Sequence, residues 1–205
     1  MITRITGHLV RVLDDEVRVA AGSFEYQVLV PEFVRRQLQN RAGNEITLHT
    51  SQYLEGNQSG TRFVPRLIGF PTERDLAFFE LFCTVDKVGV RKALKALNRP
   101  VGDIADAIHR QDSKWLTTLP GIGPSTAKEM LHSLRDDIAA FVETPASKAA
   151  AVDPAAGRVI EDAYQALMSL GHSPTEARAR LDGALEGGRN YRTIEELLMA
   201  IYNRG

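Results

Sequence analysis

The chain has 205 residues, 43% of them apolar and 25% charged, and a net charge of −1 at neutral pH, which excludes a protein coated in positive charge and fits one large domain or two to three small ones. Cys83 is the single cysteine, so a disulfide scaffold and a Cys-based zinc site are excluded and a reducing cytoplasm is expected. No run approaches the roughly 18 apolar residues of a membrane span, and the opening "MITRITGHLVRV" alternates polar and apolar residues with no apolar export core.

Residues 2–70 read as β. Five short runs rich in β-branched and aromatic residues, 2–12, 16–21, 24–30, 45–54 and 61–70, are separated by turn formers such as Asp14-Asp15, Ala21-Gly22 and Gly43-Asn44. A short helix, "PEFVRRQLQ", interrupts them from Pro31. Five antiparallel strands with one small helix predict a compact barrel of the OB type, with a small sandwich as the competing arrangement.

At Pro71 the apolar period becomes helical. Thr72 is an expected N-cap, and Leu76, Phe79, Leu81 and Phe82 fall near helical spacing in the stretch that follows. Short helices with tight turns are expected through residue 142. "FFELF" is a plausible contributor to a subunit interface, although core is the plainer reading. Cys83, beside it, reads as a small core residue.

Residues 143–153 carry no aromatic and no large aliphatic residue except Val152, the composition of a linker. Three helices with strong start signals are expected beyond it. Asp153-Pro154 opens the first, "SPTE" (173–176) is a capping box with Pro174 at the first helical position, and "TIEE" (193–196) is another. Gly171 and Gly187-Gly188 are the expected stops. The expected division is therefore 1–70 barrel, 71–142 helical domain, 143–153 linker and 154–205 three-helix domain, an α+β multidomain chain.

Two stretches of the helical region carry chemistry. In "LPGIGPSTA" (119–127) two glycines allow close approach to the backbone, Ile122 anchors the loop in the core, and Pro124, Ser125 and Thr126 open a helix whose first amides face outward. Such amides, with the helix dipole, make an anion site that needs no cationic side chain. About thirty residues upstream, Lys87, Arg91, Lys92, Lys95 and Arg99 fall within thirteen residues with no acidic residue among them. A charge run is commonly a solvated face, but beside Gly89 phosphate contact is the favoured reading.

"LPGIGPSTAKEML" resembles the second helix-hairpin-helix motif of the RuvA family. The resemblance covers the whole chain: "MITRITGHLV" looks like that family's opening strand. "GSFEYQVLVP" (22–31) and "LIGF" (67–70) are similar to strands of its OB barrel, and "ALMSLGHSPTEA" (166–177) is similar to the start of its small third domain. It implies an OB-fold barrel, a tandem helix-hairpin-helix domain and a C-terminal three-helix, UBA-like domain. It further implies binding of four-way junction DNA without regard to sequence, partnership with a RuvB-type AAA+ ATPase and with a RuvC-type resolvase, and assembly as a homotetramer or, on DNA, an octamer.

The first hairpin by this resemblance is "VDKVGVRKALKAL" (85–97), with Lys87 where the family usually has glycine and Val90-Arg91 where it has proline–lysine. The second keeps its glycines but has Pro124 and Ser125 in place of lysines. Expected DNA contacts are Lys87, Val88, Gly89, Arg91, Lys92 and Lys95 in the first hairpin, and Gly121, Ile122, Gly123, Ser125, Thr126 and Lys128 in the second. Charge at one hairpin and backbone amides at the other are expected to divide the work. In the loop 54–62, which corresponds to the family's acidic pin, Glu55 is the one candidate carboxylate. Leu167, Leu170 and His172 are the candidates for binding the motor, Leu170 and His172 being the ones expected at the surface.

No G-x-x-x-x-G-K-[ST] loop occurs, so the chain is not expected to hydrolyse ATP on its own. The five histidines lack metal-ligand spacing, and no metal or cofactor is expected. Two rival readings remain at this stage. One is a hairpin-bearing DNA repair enzyme using Asp136-Asp137, which more simply form a solvated face; the other is a non-DNA protein adaptor.

Overall fold

The computed structural model describes residues 1–56, 63–142, 154–185 and 191–203. The β-rich runs form strands β1 (Arg4–Val12), β2 (Glu16–Ala21), β3 (Phe24–Leu29), β4 (Glu45–Gly56) and β5 (Phe63–Phe70). They close into a barrel in the order β1-β2-β3-β5-β4, the five-stranded OB arrangement, and the sandwich alternative falls with that closure. One expectation needs correcting: the strands are not all antiparallel. β3 and β5 run parallel, pairing at Val28–Leu67 and Leu29–Ile68.

Period-two alternation turns Ile5, Leu9, Val17, Val19, Val28, Ile46, Leu48 and Ile68 into the barrel. Gly69 is required by closure, since a Cβ there would lie 2.6 Å from Val28 Cγ1. Helix α1 (Glu32–Leu38) follows β3 and buries Phe33 and Val34. Phe70 ends β5 with its ring 5.1 Å from that of Phe79, which packs the first helix of the next segment against the barrel.

That helix is α2 (Glu73–Phe82), capped by Thr72, whose side chain accepts from the Asp75 amide at 3.1 Å. Its buried face is Phe78, Phe79 and Phe82. The aromatic cluster is therefore core, as the plainer reading had it. Phe78 joins it where Leu76 and Leu81 were expected, and stacks edge-on against Phe141 at 5.4 Å. Cys83 is mostly buried, and burial pushes its thiol up to about 11, so it stays protonated and unreactive near neutral pH. Helices α3 (Val90–Ala96), α4 (Val101–His109), α5 (Ser113–Leu116) and α6 (Pro124–Ser133) complete the segment, followed by a 3-10 turn at Ile138–Phe141. Ala93, Ala96, Ile104, Ile108, Leu116, Ile122, Ala127, Met130 and Leu134 are the buried residues that hold them together.

Chain contacts divide the molecule into two compact units, Met1–Arg35 with Gly43–Ala150, and Arg36–Ala42 with Ala151–Gly205. The second contains α7 (Pro154–Ser169), α8 (Pro174–Leu185) and α9 (Ile194–Tyr202) around a core of Ile160, Ala163, Tyr164, Leu167, Leu181, Leu185, Leu197 and Ile201. The first capping box is complete: the Ser173 amide donates to Glu176 Oε2 at 2.9 Å, and the Glu176 amide donates to Ser173 Oγ at 3.3 Å. The second is half made. The Glu196 amide donates to Thr193 Oγ1 at 3.2 Å, but the Glu196 carboxylate takes the amide of Arg192 instead. Gly171 ends α7 at φ +93, a conformation that glycine adopts without a Cβ penalty. The expected linker 143–153 and the Gly187-Gly188 stop lie outside the described residues.

Candidate nucleic-acid interface

The two hairpins have the same backbone built from different residues. In the first, the Val88 amide donates to the Val85 carbonyl at 3.0 Å and the Ala93 amide to the Gly89 carbonyl at 2.9 Å. In the second, Ile122 donates to Leu119 at 3.1 Å and Ala127 to Gly123 at 2.9 Å. Gly89 (φ −83, ψ 170) and Gly123 (φ −91, ψ 174) are the matching N-caps of α3 and α6. The turn residue is left-handed in both, Lys87 at φ 63 and Gly121 at φ 78. Lysine thus replaces glycine without changing the fold of the turn. Its Cβ in that region costs on the order of 1 kcal/mol, offset by the burial of Val85 and Val88 on either side.

Burial sorts the expected contacts. Val88 and Ile122 are 3% and 4% exposed; their side chains anchor the turns, so only their backbones can meet a ligand. Gly89, Gly121, Gly123, Ser125 and Lys128 are exposed, as are Lys87, Arg91 and Lys95. A Cβ added at Gly89 or Gly123 would meet nothing within 4 Å. Their extended backbone suits any residue, so the open space in front of them matters to a partner rather than to the fold. The amides of Ser125 and Thr126, in the first turn of α6, have no backbone acceptor among the described residues and point outward as free donors.

Lys92 is half-buried and belongs to both hairpins. Its ammonium donates to the Lys87 carbonyl at 3.3 Å and to Thr126 Oγ1 at 3.2 Å, fixing the cationic turn beside the amide-rich helix start. The sequence had no signal for this contact, because spacing along the chain says nothing about which turns meet. The guanidinium of Arg99, the last of the basic run, sits 5.9 Å over the Trp115 ring.

Glu55 departs most from expectation. It is not a bare carboxylate at a loop tip but the hub of an ion triad. Oε2 accepts from Arg66 Nε at 2.9 Å, and Oε1 accepts from Arg91 Nε. The Arg91 and Arg66 hydrogen bonds hold its carboxyl down to about 2, and the same partnership raises the already high value of Arg91. Tyr53 alongside is raised by burial and then by the Glu55 charge. Arg66 was not anticipated. Alternation along an antiparallel pair could have suggested it, since Arg66 lies across from Tyr53 and so diagonal to Glu55. The rest of the pin loop, residues 57–62, lies outside the described residues.

In the second unit, Leu167 is fully buried and cannot present a side chain to a motor; the helical stripe that made it a candidate is core packing. Leu170 is 64% exposed. His172 is half-buried with Nε2 3.4 Å from the Tyr202 hydroxyl. Asp136 and Asp137 are exposed, a solvated face rather than an acid held in a pocket.

Comparison with known proteins agrees with this geometry. Residues 1–59 match the family described as the RuvA N terminal domain, and residues 79–136 match the SAM-like helix-hairpin-helix tandem. The chain is 45% identical over 205 residues to the protein of Rhodopirellula baltica named Holliday junction branch migration complex subunit RuvA, covering 100% of this chain and 99% of that one. It is 34% identical to the protein of the same name from Desulfosudis oleivorans, over 100% of this chain and 98% of the other. A barrel of OB order, two hairpins of one geometry and full-length likeness to these relatives have one common reading, and the chain belongs to the RuvA family.

Proposed function

We propose that the chain binds four-way DNA junctions through backbone phosphates and recruits a RuvB-type AAA+ ATPase for branch migration, as a subunit with no catalytic site of its own. The observation that carries this reading is the matched pair of hairpins, one cationic and one rich in free amides, joined by Lys92. Phosphate contacts position a protein on DNA without reading sequence, so recognition through these hairpins is of shape and phosphate. The proposed contacts are the side chains of Lys87, Arg91, Lys92, Lys95 and Lys128, the hydroxyls of Ser125 and Thr126, and the backbone at Val88, Gly89, Gly121, Ile122 and Gly123.

The proposed division of labour follows the chain: 1–70 the barrel, 71–142 the DNA-binding helices, 143–153 a linker and 154–205 the motor-binding domain. Leu170 and His172 are the proposed motor contacts. Capture of the motor undiminished by Leu170→Ala with His172→Ala would remove that assignment. Assembly as a homotetramer, or an octamer around the junction, with access for a RuvC-type resolvase in the cytoplasm, completes the proposal, and light scattering with and without junction DNA reads the stoichiometry. Among the described residues no helix is long and apolar enough to cross a membrane. The deciding experiment is a gel shift comparing a four-way junction with linear duplex. Preference for the junction is expected; base release or strand nicking would favour the repair-enzyme alternative, and no shift the adaptor.

A further inference from the structure

A run of polar side chains crosses the barrel wall and ends on the first hairpin. Glu16 on β2 accepts from Gln27 Nε2 on β3, Gln27 Oε1 accepts from Arg66 on β5 at 3.5 Å, Arg66 donates to Glu55 on β4 at 2.9 Å, and Glu55 accepts from Arg91 on α3. The links follow the strand order β2-β3-β5-β4 of the barrel itself. The link between Gln27 and Arg66 spans the seam where β3 and β5 share only two residue pairs. Every member before Arg91 is at most partly exposed, and Glu55 is 20% exposed against 65% for Arg91.

We propose that Glu55 is a positioning residue for DNA binding: with the polar chain behind it, it holds Arg91 by Nε so that the terminal guanidinium nitrogens stand ready as a fork for a junction phosphate. The inference rests on the junction-binding reading above. It differs from a pin role, in which the carboxylate itself faces the DNA strands and repels them. It also differs from masking, for which a carboxylate would take the terminal fork in two parallel bonds. Here it takes Nε, and the terminal nitrogens of Arg91 have no partner among the described residues. One carboxylate between two guanidiniums leaves the triad one positive charge in excess to attract a phosphate, reduced by Asp15, whose charge also reaches Arg91. The lowered pKa of Glu55, about 2, keeps the triad ionised throughout the neutral and mildly acidic range.

The test is a double-mutant cycle in the full-length protein. Binding of Glu55→Gln, Arg91→Gln and the double variant is measured on four-way junction and on linear duplex at several salt concentrations, with melting midpoints as a folding control. Glu55→Gln should weaken junction binding about five- to tenfold without lowering the salt slope, because Arg91 keeps its charge, whereas Arg91→Gln should lower the slope by about 0.9. In the Arg91→Gln background the Glu55→Gln loss should vanish, the mark of residues that act through one another. Arg91→Lys, at an exposed position, keeps the charge but lacks the Nε anchor, and should reproduce the loss seen with Glu55→Gln. Additive losses, tighter binding by Glu55→Gln, unchanged binding with impaired strand separation, or Arg91→Lys binding like the wild type would each overturn the proposal. A wild-type protein without junction preference counts against the junction reading instead, because the cycle is then read on duplex.

Discussion

The two hairpins reach one backbone by opposite routes. The first puts a lysine in the left-handed turn and surrounds it with Arg91, Lys92 and Lys95; the second keeps glycine there and offers the amides of Ser125 and Thr126. The shared hydrogen-bond pattern, Val88 to Val85 and Ile122 to Leu119, means that the turn is fixed by its buried residues and not by its glycine. What varies is the proposed means of holding a phosphate: side-chain charge, sensitive to salt, or fixed dipole, largely insensitive to it.

Lys92→Glu with Lys95→Glu should break the comparison hardest. It introduces repulsion and removes the link to Thr126, weakening junction binding by about two orders of magnitude and lowering the salt slope by about 2. Gly123→Val should weaken binding about tenfold by blocking approach to the amides, with the salt slope unchanged and only a small fall in melting midpoint, since its Cβ meets nothing within 4 Å although valine is a poorer N-cap than glycine. Equal slopes for these two variants would end the division between charge and amide. Lys87→Gly should sharpen it: relief of the left-handed lysine stabilises the first unit by about 0.5 kcal/mol, while the salt slope falls by at most about 0.9. Chemical denaturation and salt titration read the two effects separately.

The smallest effect belongs outside the hairpins. Ser173→Ala should cost the three-helix unit about 1 kcal/mol and leave junction binding untouched. The Glu176 carboxyl is held below its ordinary value by the Ser173 amide and hydroxyl. A carboxyl lowered on folding stabilises the folded state above its ordinary range and stops doing so as pH falls through the lowered value. Ser173→Ala removes only the hydroxyl's share of that effect. The gap between its acid melts and those of wild type should therefore narrow as pH drops without closing, because the bond from the Glu176 amide to Ser173 Oγ does not titrate.

Local signals in the sequence were read well where the cause was local. Strand alternation, the Thr72 cap, the Ser173 box and the Gly171 stop all depend on neighbours a few residues away. The parallel seam between β3 and β5 was missed because alternation reports which face is buried and not which strand lies alongside. Phe78 was missed because three phenylalanines and two leucines within seven residues fit more than one helical stripe. At the site, chain spacing assigned residues to each hairpin turn but could not bring Lys92 to Thr126 or Arg66 and Arg91 to Glu55. Those contacts join residues 34, 11 and 36 positions apart. Charge alone made Glu55 look like a free carboxylate; its partners make it part of a scaffold.

The empty space in front of Gly89 and Gly123 has a consequence for the fate of damaged copies in the cell. Chaperones and proteases act on exposed apolar surface and on opened chains, and a serine at either glycine, whose Cβ would meet nothing within 4 Å, produces neither. Such a chain would pass quality control and persist at normal abundance while, on the proposed reading, its grip on DNA is weakened. Immunoblotting would find it in full, and only a binding measurement would reveal the defect.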